Sequence, residues 1–395
     1  MAATPAEPEP EPVAEPVPRE VTPGTVLWRH PVHIPGQQTS QVPLRNCVAV
    51  DADGQCYACI GQQLVALKTN DTGFEVLWEH GTGGHIPGSA AIGSDGRIRV
   101  HSGDGKLYCV SASGDTDWIP VDVGEPLGWS SPVVDDDNNT WICSYNGGLL
   151  KVDARGTRQE RPFFRTRQKF DSTPVIHRDV LYVGAEDGFV YAIGLEGARG
   201  KNRWDHLADQ GKTEWFINSS PAVTNHDRLI VAGRDEYLYA FEHDGSQAWK
   251  LHIRGQLLAS PVVGPQGVIY VGVSIIVRGS EDRGKLIAVD SQSHRILWEY
   301  EARGAVEATP VVGDDGVVYF GDNIGMVHAV QSDGSHFWGQ NVGHAVRSAG
   351  AITDSGQVVF GLDDGTLIGL ASSSKQLAAG QWPKYMGTAG QSGRR

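Results

Sequence analysis

Asp171, Asn218 and Glu307 each stand two places before a Ser or Thr that opens a Pro-containing run: Thr173-Pro174, Ser220-Pro221 and Thr309-Pro310. Arg45 and Arg347 hold the matching places before Val48-Ala49-Val50 and Gly350-Ala351-Ile352. Carboxylates so placed can move protons or ligate calcium, and guanidinium groups beside them can hold an acidic substrate. Trp129 and Trp215 precede Ser-Ser-Pro entries, where an aromatic face can stack on a sugar or a flat cofactor.

Other chemistry is weaker. Cys56-Tyr57-Ala58-Cys59 has a metal-ligand spacing, but it falls in a run that reads as a strand, where residues three apart face opposite sides. Five cysteines cannot all pair within one chain, and buried free thiols are the expectation. Asp135-Asp136-Asp137-Asn138-Asn139 lacks the Gly and Glu of a calcium loop and reads as a hairpin turn. The 14 histidines form no HExxH pair, and neither a GxSxG elbow nor a phosphate loop is present. No metal site is expected.

The elements that must carry these residues are short and repeated. After Ala308-Thr309-Pro310-Val311-Val312 come Val317-Val318-Tyr319-Phe320-Gly321, Met326-Val327-His328-Ala329-Val330 and His336-Phe337-Trp338. Asp314-Asp315-Gly316, Asn323-Ile324-Gly325 and Ser332-Asp333-Gly334 separate these runs and supply residues that tolerate positive φ in tight turns. The order is that of four antiparallel strands. It recurs from Ser131-Pro132, Thr173-Pro174, Ser220-Pro221 and Ser260-Pro261, with proline steps of 42, 47, 40 and 49, and three weaker copies at Val48, Ala90 and Gly350 bring the total to eight.

Most fourth runs end in Trp: Trp78, Trp118, Trp204, Trp249, Trp298, Trp338 or Trp382, with Phe163-Phe164 in the third copy. Trp28, in Val26-Leu27-Trp28, stands before the first copy and can serve as the outer strand of the last, which would close the ring. Gln381-Trp382-Pro383 competes for that place. The expectation is an all-β, eight-bladed β-propeller of four-stranded antiparallel blades over residues 25–390, with tails at 1–24 and 391–395. Extra residues Val273 to Arg283 in the sixth copy predict a long loop between its second and third strands.

Ser-Pro-Val-Val, Ile-Tyr-Val-Gly, Asp-Gly-Phe-Val-Tyr-Ala and the terminal Trp resemble the PQQ-like (pyrroloquinoline-quinone-like) propeller superfamily over roughly residues 25–390. That superfamily includes quinoprotein dehydrogenases and the propeller lipoprotein of the outer-membrane β-barrel assembly machinery. The resemblance implies that each outer Trp docks on the next blade. It also implies that the Pro-Val-Val strand is innermost, so that the column Arg45, Pro87, Trp129, Asp171, Asn218, Leu258, Glu307 and Arg347 rims one mouth of a central channel. His85, His101 and His344 approach the same mouth. Quinoproteins need calcium, a catalytic aspartate and in most members adjacent cysteines; no adjacent pair exists here.

The net charge of −14 excludes a nucleic-acid backbone or an anionic membrane as the main partner, and no apolar run is long enough to span a bilayer. Residues 4–23 are rich in Pro, Glu, Ala and Val. They read either as the tether of a chain exported to the periplasm or cell surface, its signal lying upstream, or as the frayed tail of a cytoplasmic one, export being the expectation. The functional expectation is a non-catalytic binding module for protein or saccharide, without cofactor, acting through Arg45, Trp129, Asp171, Trp215, Asn218, Glu307 and Arg347. The alternative is an enzyme on the same scaffold. It is either a PQQ- and calcium-dependent oxidoreductase or a lyase or hydrolase in which Arg45 and Arg347 hold an acidic polysaccharide while Asp171 or Glu307 moves protons.

Overall fold

A computed structural model describes residues 21–30, 43–204, 211, 213–277, 282–379 and 382–387; most of the expected tails lie outside this range. The strands assort into eight four-stranded antiparallel sheets. Blade 1 consists of Ala49–Val50, Gln55–Ile60, Gln63–Asn70 and Gly73–Gly81, and blades 2 to 7 follow in chain order with the same inner-to-outer succession. The repeat count and fold expected from sequence are met.

Each sheet packs on neighbours through both faces, so its middle strands are largely buried: Val180–Gly184 of blade 4 is buried at every residue. Outer strands alternate, as in Arg295–Ala302 of blade 6, because one side faces solvent. Strand alternation also separates the two cysteines of the CxxC run. Cys56 packs with Val48 and Ala58, whereas Cys59 packs with Tyr57 and Leu64 on the other face. All five cysteines are free and buried, and burial pushes the Cys56, Cys59 and Cys109 thiols up to about 12. The Asp135–Asn139 run is the hairpin turn expected, with the Asp135 carboxylate accepting bonds from the Asn139 amide and the Trp141 indole.

The outer tryptophans join the blades. Trp78, Trp118, Trp204, Trp298 and Trp338 each lie against the glycine that opens the next blade's outer strand: Gly114, Gly156, Gly245, Gly334 and Gly24. A Cβ on any of these glycines would come within 2.9 Å of the indole. Phe163 takes the role in blade 3, against Gly200, while Trp249 stacks on His294 and Trp28 lies tilted against Phe74.

A second belt runs round the channel. The backbone N–H of Cys47, Ser89, Ser131, Thr173, Ser220 and Ser260 each donates to the hydroxyl of the corresponding Ser or Thr in the following blade, at 2.7–3.1 Å. This is why Ser or Thr recurs before the innermost strand: each hydroxyl satisfies a buried amide of its neighbour. The series stops at blade 8, where Ala349 supplies no hydroxyl.

Trp28 wins the competition for ring closure. Val26–His30 pairs with Leu367–Ala371 and completes blade 8. The expectation that Trp382 ends an outer strand is therefore corrected. With that position filled, the chain after Ala371 turns inward from the face opposite the mouth, where the Lys375 amide bonds Asp314. It then bonds the innermost strands of blades 6 and 7 through Val263 with Trp382 and Val312 with Pro383. Trp382 is 1% exposed, Lys384 donates its Nζ to the Val48 carbonyl of blade 1 at 3.0 Å, and Met386 is buried beside Val133 of blade 3. The described residues 382–387 thus reach across the channel from blades 6 and 7 to blades 1 and 3.

The long loop expected at Val273 to Arg283 is also corrected in part. Val268–Ile275 and Arg283–Asp290 pair antiparallel out to Ile275 and Arg283, so Val273 to Ile275 and Arg283 belong to strands; residues 278–281, with Arg278 and Glu281, lie outside the described residues. Alternating apolar residues extend the ladder here.

Candidate functional site

The innermost strands start at one face, and the turns between second and third strands return to it. That face therefore gathers the residues leading into each blade. A funnel of about 300 Å³ opens there, lined by all eight residues of the column from Arg45 to Arg347. Beneath them lies the belt of hydroxyls, and at the floor stands Tyr385. Its hydroxyl is 2.6 Å from Thr173 Oγ1 and 3.5 Å from Ser131 Oγ, and burial raises its pKa. No repeat signal marks Tyr385, which lies beyond the eighth copy and so was missed from sequence.

The charged residues do not stand free. Arg347 donates Nε to Glu307 at 3.1 Å and Nη1 to Asp363, and Arg45 lies 3.7 Å from the same Asp363 carboxylate. Glu307, Arg347, Asp363 and Arg45 form one chain of ion pairs across blades 7, 8 and 1. Asp363 was not singled out from sequence, although its Asp-Asp-Gly turn is one of those facing the mouth. On the other side Asn218 donates Nδ2 to Asp171 at 2.6 Å, while Asp171 Oδ1 and Asn218 Oδ1 have no hydrogen-bond partner.

Trp129 lines the funnel and is 51% exposed. Gly128 lets its loop lie against the Tyr145 ring, which a Cβ would meet at 2.5 Å. Burial, then the nearby Asp171 and Glu186 carboxylates, raise the Tyr145 pKa. Trp215 is not among the funnel-lining residues, contrary to its pairing with Trp129 in the sequence reading. It sits three residues before Asn218, which turns it out onto the surrounding face beside Phe216.

The histidines are not in the lining either. His101 is buried behind Gly88 with Nε2 2.9 Å from the Gly128 carbonyl, and desolvation lowers its pKa to about 4. His85 is lowered by the same cause, and His344 pairs with Asp364 at 3.4 Å. Among the described residues no three His, Cys, Asp or Glu side chains are grouped to hold a metal. Quinone-dependent alcohol oxidation would need a base and calcium ligands, and Glu307 already has Arg347 on one oxygen.

The family model described as outer membrane protein assembly factor BamB matches residues 194–359. BamB from Moraxella catarrhalis superposes with a TM-score of 0.65 at 16% identity, covering 88% of this chain and 99% of that one. Sqt1 of Saccharomyces cerevisiae gives 0.65 at 11% identity over 89% and 100%, and the computationally designed Ika8 protein 0.63 at 13% over 84% and 96%. No protein in the curated set matches by sequence. The family-model match supports the resemblance drawn from the repeats, and the structural likenesses show the eight-bladed fold.

Proposed function

We propose that this PQQ-like propeller is a non-catalytic scaffold that docks another protein on its mouth face, and that it works outside the cytoplasm. One observation carries the reading. Among the described residues the exposed large apolar side chains fall into two sets. Leu77, Ile119, Leu297 and Phe337 lie on outer strands; Trp129, Trp215, Phe216, Ile276 and Ile324 all lie on loops of the mouth face. Among the described residues the opposite face has none. Exposed aromatic and aliphatic groups gathered round a polar depression are the composition of a protein-binding surface.

The ion pairs in the funnel support the same reading. Glu307, tied to Arg347, is poorly placed to shuttle protons, while Asp171 carries no such tie; a rigid charged rim suits recognition. Export is supported by the tether-like composition of residues 4–23 and by the match to a family named for outer-membrane assembly. Among the described residues no helix is long and apolar enough to cross a membrane.

The test is site-specific photocrosslinking in cells, with the reactive residue placed at Phe216 or Ile276 on the mouth face and at Asn225 on the opposite one. A single protein identified from both mouth positions, and lost when Trp129 and Trp215 are changed to Ala, is the expected result. Crosslinks from Asn225 alone would refute the docking face, and fractionation entirely with the cytosol would refute export.

A further inference from the structure

We infer that the half of the funnel formed by blades 3 to 5 receives an arginine side chain presented by the docked protein. The inference rests on the docking reading and names the chemistry of the contact. Its basis is an imbalance between the two halves. Glu307, Arg347, Asp363 and Arg45 carry two charges of each sign and are joined to one another. Asp171 stands outside that chain with no ion-pair partner among the described residues, and its one hydrogen bond comes from a neutral amide.

The buried unfilled atoms of the funnel lining in this half are acceptors. Asp171 Oδ1 and Asn218 Oδ1 lack donors, and the Asp171–Asn218 bond of 2.6 Å holds the two side chains together as one unit. A carboxylate can accept about four hydrogen bonds, so most of the capacity of Asp171 is unused. Asp171 is only partly buried and lines the funnel, so an incoming donor can reach its carboxylate. A sugar hydroxyl would bring both donors and acceptors and would need protein donors, whereas the two guanidinium groups of the funnel face the Glu307 and Asp363 carboxylates of the other half. A group that only donates fits better.

Trp129 selects among such groups. Its indole is half exposed, and the loop that carries it lies close against the Tyr145 ring at Gly128. A planar guanidinium can lie on that face and still direct its forked N–H groups at two oxygens, whereas an ammonium acts as a point charge. The neighbouring Lys169 pairs with Glu186 at 3.6 Å and does not neutralise Asp171.

The test uses the full chain with 15N-labelled tryptophan, the Trp129 indole resonance being assigned by its loss in Trp129→Phe. It is titrated with acetyl-Gly-Arg-Gly-amide, with the lysine and citrulline counterparts, and with a neutral cello-oligosaccharide. The arginine peptide is expected to shift the resonance saturably and to bind about tenfold more tightly than citrulline, which keeps the shape without the charge, with lysine between them. Asp171→Asn should remove that preference, and Asp137→Asn on the opposite face should leave it. Equal binding of arginine and citrulline, or a shift by the oligosaccharide alone, overturns the inference on unmodified protein. If the arginine peptide fails while Phe216 still crosslinks its partner, only this inference falls; if both fail, the docking reading falls with it.

Discussion

Replacing Gly334 by Ala tests whether the outer tryptophans hold the ring together. Gly334 has φ +88°, and a Cβ there would lie 2.7 Å from Trp298 Cγ and 2.8 Å from Cδ2. Gly343, a few residues on, has φ +89° with nothing within 4 Å of its Cβ position. The two sites share the backbone penalty, about 1–3 kcal/mol for a side chain at such φ, and differ only in the indole. Pushing a packed ring away costs about a further 1–3 kcal/mol. Gly334→Ala should therefore destabilise by roughly 2–6 kcal/mol and Gly343→Ala by roughly 1–3 kcal/mol, measured as urea unfolding midpoints at constant m. In a Trp298→Ala background the excess at Gly334 should vanish, since the clash partner is gone. If the two glycines cost the same within about 0.5 kcal/mol in the unmodified chain, the account of blade joining is wrong.

The hydroxyl belt gives a paired prediction: Thr173→Val strips the acceptor from the buried Ser131 amide and should cost about 1–3 kcal/mol, while Ala349→Ser extends the belt and should gain about 1 kcal/mol, both read by denaturation. Trp382→Ala empties a fully buried site in the channel and should cost about 3–5 kcal/mol, with a parallel increase in exchange of the Val263 amide. His101 resists protonation down to about pH 4 in the folded chain but takes a proton near 6.5 when unfolded. The unfolded state thus binds more protons between these values, and stability falls as pH drops from 6.5 to 4, by about 3 kcal/mol. His101→Gln, which keeps a donor for the Gly128 carbonyl, should flatten that part of the pH profile relative to the unmodified chain.

The repeats determined a great deal by themselves. Each blade is built from contacts close in sequence, and its turn residues, its apolar middle strands and its closing Trp recur because every blade meets the same physical demands. The column from Arg45 to Arg347 was legible for the same reason: equivalent positions in a ring converge on one axis, so register alone gathers all eight round the funnel. What register does not contain is how unlike neighbours then interact. Asp363 joins Arg45 to Arg347 because a turn of blade 8 leans over the mouth, and Trp215 leaves the funnel because it is three residues off the column.

The two ends of the chain were decided by tertiary structure. Trp28 and Trp382 both carry the local features of an outer strand, but one blade has room for one. The N-terminal strand completes eight backbone-paired sheets, so Trp382 buries its ring in the channel instead and carries Tyr385 to the funnel floor. Local sequence specifies a strand and its faces; which of two competing segments takes a single vacant edge depends on the closure of the whole ring.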